Sequence, residues 1–167
     1  MMTVFALVDT YRAAKALVDE LMGAGIDVED MNVIVKSEVA KSAMDHVDFS
    51  QMGVDVTNEV GEQRYQGLDY LIVGEQAVEL VGLGDVFAAG ELATLMATAA
   101  TRPRDEAGTA MAAALQEFSV SPSAAETYYE GLDGAGWLVF VRTEDDKAQD
   151  ARPIMRKHSD AVEVVSG

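Results

Sequence analysis

The start of the chain decides the fold, with Val4-Phe5-Ala6-Leu7-Val8 as an uninterrupted apolar run followed by Asp9. Such a run of β-forming residues predicts a buried strand. Asp9 or Thr10 can cap the helix that follows, because both side chains accept hydrogen bonds from free backbone N–H groups. The apolar face of this helix repeats at helical spacing and consists of Ala14, Leu17, Val18 and Leu21. Glycines at positions 23 and 25 end the helix, and Met31–Val35 is predicted as a second strand.

The C-terminal end repeats this plan. Trp137–Val141 is predicted as a strand, and Thr143 is a candidate cap for the helix after it. That helix has an apolar stripe formed by Ala148, Ala151, Met155 and His158. Pro153 lies within the stripe and lacks an N–H, so the helix is expected to kink or split there. Ala161–Val165 then closes the chain as a strand.

Two β-α-β units in one chain predict an α+β fold with a ferredoxin-like, split β-α-β sheet. We expect a single domain, residues 1–167, in which units 1–36 and 136–167 flank a large insertion at 37–135. The strands Val4–Val8 and Trp137–Val141 are apolar without alternation, so both faces of the sheet should be covered. The two predicted helices cover only one face. The other should meet either the insertion or a second copy of the chain.

The insertion is rich in small residues and is predicted to be mainly helical. A short helix is indicated after the second strand by Val39, Ala43, Met44 and Val47. Short strands are predicted at Gly53–Val56 and Tyr70–Val73. Residues Ala77–Gln116 are predicted as two small-residue helices joined at the charged segment Arg102–Glu106. Ser121-Pro122 begins a further helix, with serine as the cap and proline at the first position, which ends near Gly131.

The charge of the chain restricts its partners. The formal net charge is −17, from 29 acidic and 12 basic side chains. Nucleic acid is therefore not expected as a partner, because phosphates are bound through Lys and Arg, and an anionic membrane surface is disfavoured for the same reason. The uncharged stretches Leu92–Thr101 and Ala107–Gln116 are much shorter than the roughly 20 residues of a membrane-spanning helix. The early acid at Asp9 is not typical of a secretory signal, so we expect a cytoplasmic protein.

No catalytic constellation, metal site or cofactor site is predicted. Cysteine is absent, which excludes disulfides and thiolate chemistry. The histidines His46 and His158 lie on separate predicted helices rather than in a cluster. Gly82-Leu83-Gly84, with Gly90 further on, lacks the spacing of a dinucleotide fingerprint and has no nearby lysine or arginine. Close backbone packing explains these glycines better than a bound phosphate.

Aromatic residues mark the remaining candidate site. Tyr128 and Tyr129 are adjacent on a predicted helix, so they point about 100° apart, and Trp137 opens a strand. Core packing, an interface or the lining of a small apolar pocket are all compatible with them. The residues predicted to form a pocket or interface are Gly82, Gly84, Gly90, Tyr128, Tyr129 and Trp137.

Three blocks of the chain resemble the bacterial general stress, or heat-induced stress, family of small proteins. The opening strand–helix–strand is the first, and Gly82–Leu92 matches the pattern G-x-G-x-x-x-A-A-G-x-L. The third block is C-terminal. It comprises a helix from Ser121-Pro122 to Tyr128-Tyr129-Glu130-Gly131, the strand Gly136–Val141 and a last helix ending in Met155–His158. The resemblance implies a stress-associated protein of unassigned biochemical activity, with no catalytic residues to transfer.

These observations predict a non-enzymatic, self-associating stress-related protein that forms a homo-oligomer, with a dimer favoured. The alternative is a regulatory module that binds a small apolar ligand or effector. An enzyme that works without cysteine or a histidine cluster is a third possibility, and it would need a buried carboxylate with a strongly raised pKa.

Overall fold

The computed structural model describes residues 1–44, 67–73, 77–80, 82–101 and 110–166. These residues confirm the α+β class: helices pack on a six-stranded, open, antiparallel sheet. In chain order the strands are β1 (Met2–Val8), β2 (Met31–Lys36), β3 (Val78–Leu80), β4 (Gly84–Ala89), β5 (Trp137–Thr143) and β6 (Ala161–Ser166). Their order across the sheet is β3-β4-β2-β5-β1-β6.

The helices of the described residues are α1 (Tyr11–Gly23), α2 (Ser37–Ala43), α3 (Leu68–Val73), α4 (Glu91–Ala100), α5 (Ala110–Glu117), α6 (Pro122–Asp133) and α7 (Asp145–His158). A short 3-10 turn, Val28–Asp30, precedes β2. Two of the predicted caps are confirmed. Thr10 accepts a hydrogen bond from Ala13 N at 3.1 Å, and Ser121 Oγ accepts one from Ala124 N at 3.3 Å.

One face of the sheet packs against α1 and α7, as the sequence predicts. Val4, Ala6 and Val8 of β1 point to this face and are buried there. The predicted stripe of α1 is fully buried against them: Ala14, Leu17, Val18 and Leu21. Burying each large apolar side chain contributes about 1.5–3 kcal/mol, so this layer is a principal part of the core.

The insertion covers the other face of the sheet. Phe5, Ile34 and Phe140 point to this face and are completely buried beneath α4, α5 and α6. The helices contribute alanines and larger apolar side chains to the contact: Leu92, Ala93, Met96, Met111, Ala114, Leu115, Ala125, Tyr128 and Leu132. The sequence allowed either the insertion or a second copy of the chain to cover this face. The structure shows the insertion there, so a second copy is not needed to bury this face.

Part of the insertion was predicted wrongly. Tyr70–Val73 lies in helix α3 and not in a strand. Residues Val78–Leu80 and Gly84–Ala89 form a hairpin that extends the sheet, where the sequence predicted helix. Strand β4 pairs with β2, from Val33 with Ala89 to Lys36 with Val86, and this pairing outweighs the helical propensity of its alanines. The predicted helices after this point, and the short helix after β2, are confirmed as α4, α5 and α2.

The last helix also differs from its prediction. Thr143 is the final residue of β5, and α7 begins after Glu144 without a side-chain cap. Pro153 does not split α7, which runs continuously from Asp145 to His158. Its ring lies on the exposed side of the helix, while Ala151 and Met155 on either side are fully buried. The buried stripe holds the helix together across the missing hydrogen bond.

Four predictions fall on residues outside the described ranges. They are the strand at Gly53–Val56, the charged turn at Arg102–Glu106, the helical position of His46, and Val47 of the short helix after β2, of which the structure shows α2 ending at Ala43.

Candidate functional site

The predicted site residues do not come together, because they lie on opposite faces of the sheet. Trp137 is buried on the face covered by α1 and α7, where its ring lies 5.6 Å from that of Tyr11. Tyr128 is buried on the other face and stacks on Phe5 with ring centroids 5.9 Å apart. Tyr129 is only partly buried beside this second core. Trp137 and Tyr128 are therefore packing residues of separate cores.

The Tyr128 hydroxyl has a specific role in the fold. It donates a hydrogen bond to the carbonyl oxygen of Ala161 at 3.1 Å, which ties α6 to the start of β6. Burial, followed by the negative charge of Glu163, raises the pKa of Tyr128 well above the ordinary tyrosine value. The phenol therefore stays neutral and can keep donating this hydrogen bond.

The predicted glycines serve backbone geometry. Gly82 and Gly84, with φ angles of 88° and 75°, form the turn between β3 and β4. Gly90 has a φ of 103° and joins β4 to α4. A Cβ atom at Gly90 would lie 2.6 Å from the carbonyl oxygen of Met31 and would clash with Asn32 Oδ1. Close backbone approach, as predicted, is thus the reason for glycine here.

Asn32 was not singled out from the sequence, yet it organises the start of α4. Its side chain is 3% exposed, and its Oδ1 accepts a hydrogen bond from Ala93 N at 3.0 Å. Its Nδ2 donates to the carbonyl oxygen of Asp30 at 3.4 Å. Asn32 therefore caps a helix that begins 59 positions later in the chain, at Glu91, which local sequence patterns cannot reveal.

A partly buried tyrosine–carboxylate pair joins α1 to α3. The Tyr11 hydroxyl donates to Asp69 Oδ1 at 2.6 Å, and Asp69 is only 8% exposed. Burial and then the hydrogen bond to Asp69 raise the pKa of Tyr11 above its ordinary range. Because the phenol stays neutral, the pair satisfies the buried carboxylate and positions α3 against α1.

The described histidine takes part in a surface cluster of polar contacts around Glu20. His158 Nε2 lies 3.0 Å from Glu20 Oε1, and Lys157 Nζ lies 3.3 Å from Glu20 Oε2. These two partners, His158 first, lower the pKa of Glu20. Across the described ranges, no group of three or more potential metal-ligating side chains is arranged to hold a metal ion.

Two cavities adjoin at one end of the second core and share the side chains of Arg142 and Leu92. The first has a volume of about 290 Å³ and is bordered mainly by Met1, Glu29, Asp30, Asn32, Glu91 and Leu95. The second has a volume of about 280 Å³ and is bordered by Thr3, Phe5, Glu117, Phe118, Ser119 and Ser166. We call the second one the Arg142 cavity. None of the predicted site residues lines either cavity, although Gly90 immediately precedes Glu91, which lines the first.

The last feature is the outer edge of the sheet. Strand β6 pairs with β1 on one side, from Met2 with Ser166 to Leu7 with Ala161. On its other side it has no neighbouring strand within the part of the chain that the structure describes. Residues 161–164 are all half-buried, including Val162 and Val164. At Ala161 the carbonyl accepts from Tyr128 and the N–H donates to Ser159 Oγ, so the backbone groups that the edge can offer to another strand begin after this residue.

Comparisons with known proteins identify no relative of the chain. No family model, no curated protein and no solved structure matches the chain. Within the described ranges, no helix has both the length and the apolar character needed to cross a membrane.

Proposed function

We propose that the chain is a non-enzymatic, self-associating protein whose dimer forms by antiparallel pairing of β6 with β6 of a second copy. The observation that carries this proposal is the outer edge of β6, which has no neighbouring strand among the described residues. A strand edge is a template for another strand, because its unpaired N–H and C=O groups gain partners there. Antiparallel pairing about a two-fold axis would join the two sheets into one.

The composition of β6 supports this proposal. Protein edges are commonly guarded against pairing by lysine or by proline, and β6 contains neither. In β6 the one charged residue is Glu163, whose Oε2 accepts a hydrogen bond from Ser121 N at 3.4 Å. The carboxylate is thus drawn to the start of α6, which leaves Val162 and Val164 as the half-buried apolar side chains of the strand.

The opposite edge of the sheet is a poorer site for pairing. Strand β3 has three residues, Val78–Leu80, against six in β6. Short edge strands limit the number of hydrogen bonds that a partner can gain. A second copy is the natural occupant of the β6 edge, because one antiparallel strand is complementary to itself.

We further propose that β2, β5, β1 and β6 form a ferredoxin-like split β-α-β sheet. Their order, with α1 and α7 on one face, supports this assignment. A stress-related role in the cytoplasm remains part of the proposal. It rests on the family resemblance of the sequence.

The test is sedimentation velocity on the purified protein and on two matched variants. Val162→Lys places a charge on the β6 edge and should convert the dimer to a monomer. Val78→Lys makes the same change at a half-buried valine on the opposite edge, and should leave the dimer intact. Melting curves establish that both variants fold. A wild-type monomer at high micromolar concentration, or equal effects of the two variants, would refute the proposal.

The two adjoining cavities favour a second candidate function, a small-ligand or effector-binding module. Their volumes are near the lower end of the roughly 300–1,000 Å³ of ligand sites. Native mass spectrometry of the protein as purified tests this function. A reproducible added mass that is lost on denaturation supports this function. If the protein shows only the mass of the bare polypeptide, even after incubation with an excess of cell extract, the result contradicts it.

A further inference from the structure

The first of the two adjoining cavities, of about 290 Å³, is an open groove with an apolar centre, and we call it the Leu95 groove. Leu95 and Met1 border it and are large apolar side chains that the fold leaves exposed, with exposures of 50% and 59%. Leu92, three residues before Leu95 on α4, is 7% exposed and extends the apolar surface inward. Single apolar residues are normal on a protein surface, whereas an apolar patch with a polar rim marks an interaction site.

Three carboxylates form the rim of the Leu95 groove. Glu91 is the first residue of α4 and lies one helical turn before Leu95, so both side chains share the exposed face of the helix. Glu29 and Asp30 come from the 3-10 turn before β2. Among the described residues, none of the three carboxylates forms an ion pair. Their charges are therefore available to a cationic partner.

Asn32 fixes the two acidic sides of the groove relative to each other. Its Oδ1 accepts a hydrogen bond from Ala93 N in the first turn of α4 at 3.0 Å, and its Nδ2 donates to the carbonyl oxygen of Asp30 at 3.4 Å. Gly90 allows this close approach, because a Cβ atom there would clash with Asn32 Oδ1. The groove is thus formed before a partner arrives, which reduces the entropy lost on binding.

The charge of the groove and of the whole chain selects the partner. Among the described residues that border the groove, Arg142 is the only positive side chain, and the carboxylates outnumber it three to one. The formal net charge of −17 attracts cationic partners at long range and raises their association rate. A simple inorganic cation would make no use of the apolar centre. The cavity volume is near the lower end for ligand sites, which suits one large apolar side chain of a partner.

We propose that the Leu95 groove docks a basic peptide segment of a partner protein, in which a large apolar residue is flanked by lysine and arginine. The apolar residue packs on Leu92 and Leu95. Its basic neighbours lie against the carboxylates of Glu29, Asp30 and Glu91. Docking at this groove goes beyond self-association and does not depend on pairing at β6.

The experiment measures the fluorescence anisotropy of a labelled peptide, Gly-Lys-Arg-Lys-Leu-Lys-Arg-Lys-Gly, during titration with the full chain. A matched peptide with serine in place of leucine separates the apolar contact from the charge. The leucine peptide should bind at least about fivefold more tightly, because its side chain leaves water in the groove. Binding of both should weaken as sodium chloride rises from about 0.1 M to about 1 M. Equal binding of the two peptides, or no binding of either, overturns the inference.

Charge variants locate the site. Glu91→Lys should weaken binding of the leucine peptide by at least about threefold, because it replaces an attraction by a repulsion. Glu126→Lys makes the same change in net charge at an exposed position on α6, and should have a clearly smaller effect. Arg142→Gln should strengthen binding, since it removes the positive charge that opposes the peptide. Equal weakening by the two glutamate variants would show attraction by net charge alone, which overturns the inference.

Apolar variants test the contact at the centre of the groove. Leu95→Ser should weaken binding of the leucine peptide and leave that of the serine peptide unchanged, a difference that misfolding would not produce. Met22→Ser, at an exposed apolar residue of α1, is the matched control and should change neither. Val162→Lys should bind the leucine peptide as the wild type does, so dimerisation and docking can fail separately. If Leu95→Ser dissociates the dimer and Val162→Lys does not, a second copy occupies the groove and the basic partner is excluded.

Discussion

At the scale of single residues, Gly90 and Asn32 form a tight junction between β4, β2 and the start of α4. The φ of 103° at Gly90 and the clash of a Cβ with Asn32 and Met31 make this position intolerant of a side chain. Gly90→Ala should lower the free energy of unfolding by about 1–3 kcal/mol or more, since strained backbone and steric overlap add. Urea unfolding measures the change.

Gly23→Ala is the matched control for this prediction. Gly23 is the last residue of α1, and a Cβ there would meet no atom within 4 Å. The change should be neutral or stabilising by up to about 1 kcal/mol, because alanine reduces the entropy of the unfolded chain. Equal destabilisation by both variants would contradict the role given to Gly90.

Also at the residue scale, Tyr128 links stability to pH. Its pKa is raised in the folded chain, so the folded state holds the phenolic proton more tightly than the unfolded state. The stabilisation is complete below the ordinary tyrosine pKa of 10.0 and is lost as the pH rises above it. We expect the free energy of unfolding to fall by about 1.4 kcal/mol per pH unit above this point for this residue.

Urea unfolding across the alkaline range measures this dependence. Tyr128→Phe should reduce the slope, although it also removes the hydrogen bond to Ala161 and lowers stability at neutral pH. Tyr129→Phe, a partly buried neighbour on α6, is the matched control. If Tyr128→Phe leaves the alkaline pH dependence of the free energy of unfolding unchanged, other groups cause that dependence.

At the scale of elements, α7 contains an interior proline that the fold tolerates at a cost. Pro153 removes one hydrogen bond and lies on the exposed side of the helix. Pro153→Ala should raise the free energy of unfolding by about 1–3 kcal/mol, because alanine restores the hydrogen bond and has a much higher helix propensity. Arg152→Ala, the exposed neighbour, should change it by less than about 0.5 kcal/mol. A loss of stability in Pro153→Ala would contradict this account.

Several elements can be predicted from the sequence because their hydrophobic periodicity and their helix caps indicate the same structure. Strand β1, the stripe of α1 and the Ser121-Pro122 start of α6 each carry a local signal that tertiary packing reinforces. The hairpin of β3 and β4 does not, since its alanines favour helix and only the pairing with β2 makes it a strand. Tyr70–Val73 is a short apolar run, which suits a buried helix as well as a strand.

The candidate sites were harder to predict than the elements. Thr3, Leu92, Phe118 and Arg142 are far apart in sequence and meet only because α4 and α5 fold over the end of β1 and β5. Tyr128 and Trp137, which the sequence predicts as pocket or interface residues, are core residues in the structure. An isolated arginine at the end of an apolar strand was the available signal for the cavity.

At the scale of the whole molecule, charge opposes self-association. Each chain carries a formal net charge of −17, so two copies repel each other as β6 approaches β6. Salt reduces the screening length from about 10 Å at 0.1 M to about 3 Å at 1 M. The dissociation constant of the dimer should therefore fall as sodium chloride increases. Sedimentation equilibrium measures this dependence. A dissociation constant that rises with salt would indicate an interface stabilised by ion pairs.

The most direct test of the central claim, dimerisation through β6, is amide hydrogen exchange measured well above and well below the dissociation constant. We predict that exchange within residues 161–166 slows on dimerisation, while exchange at the opposite edge, residues 78–80, stays the same. Protection that is independent of concentration at 161–166, or that appears at another surface instead, would contradict it.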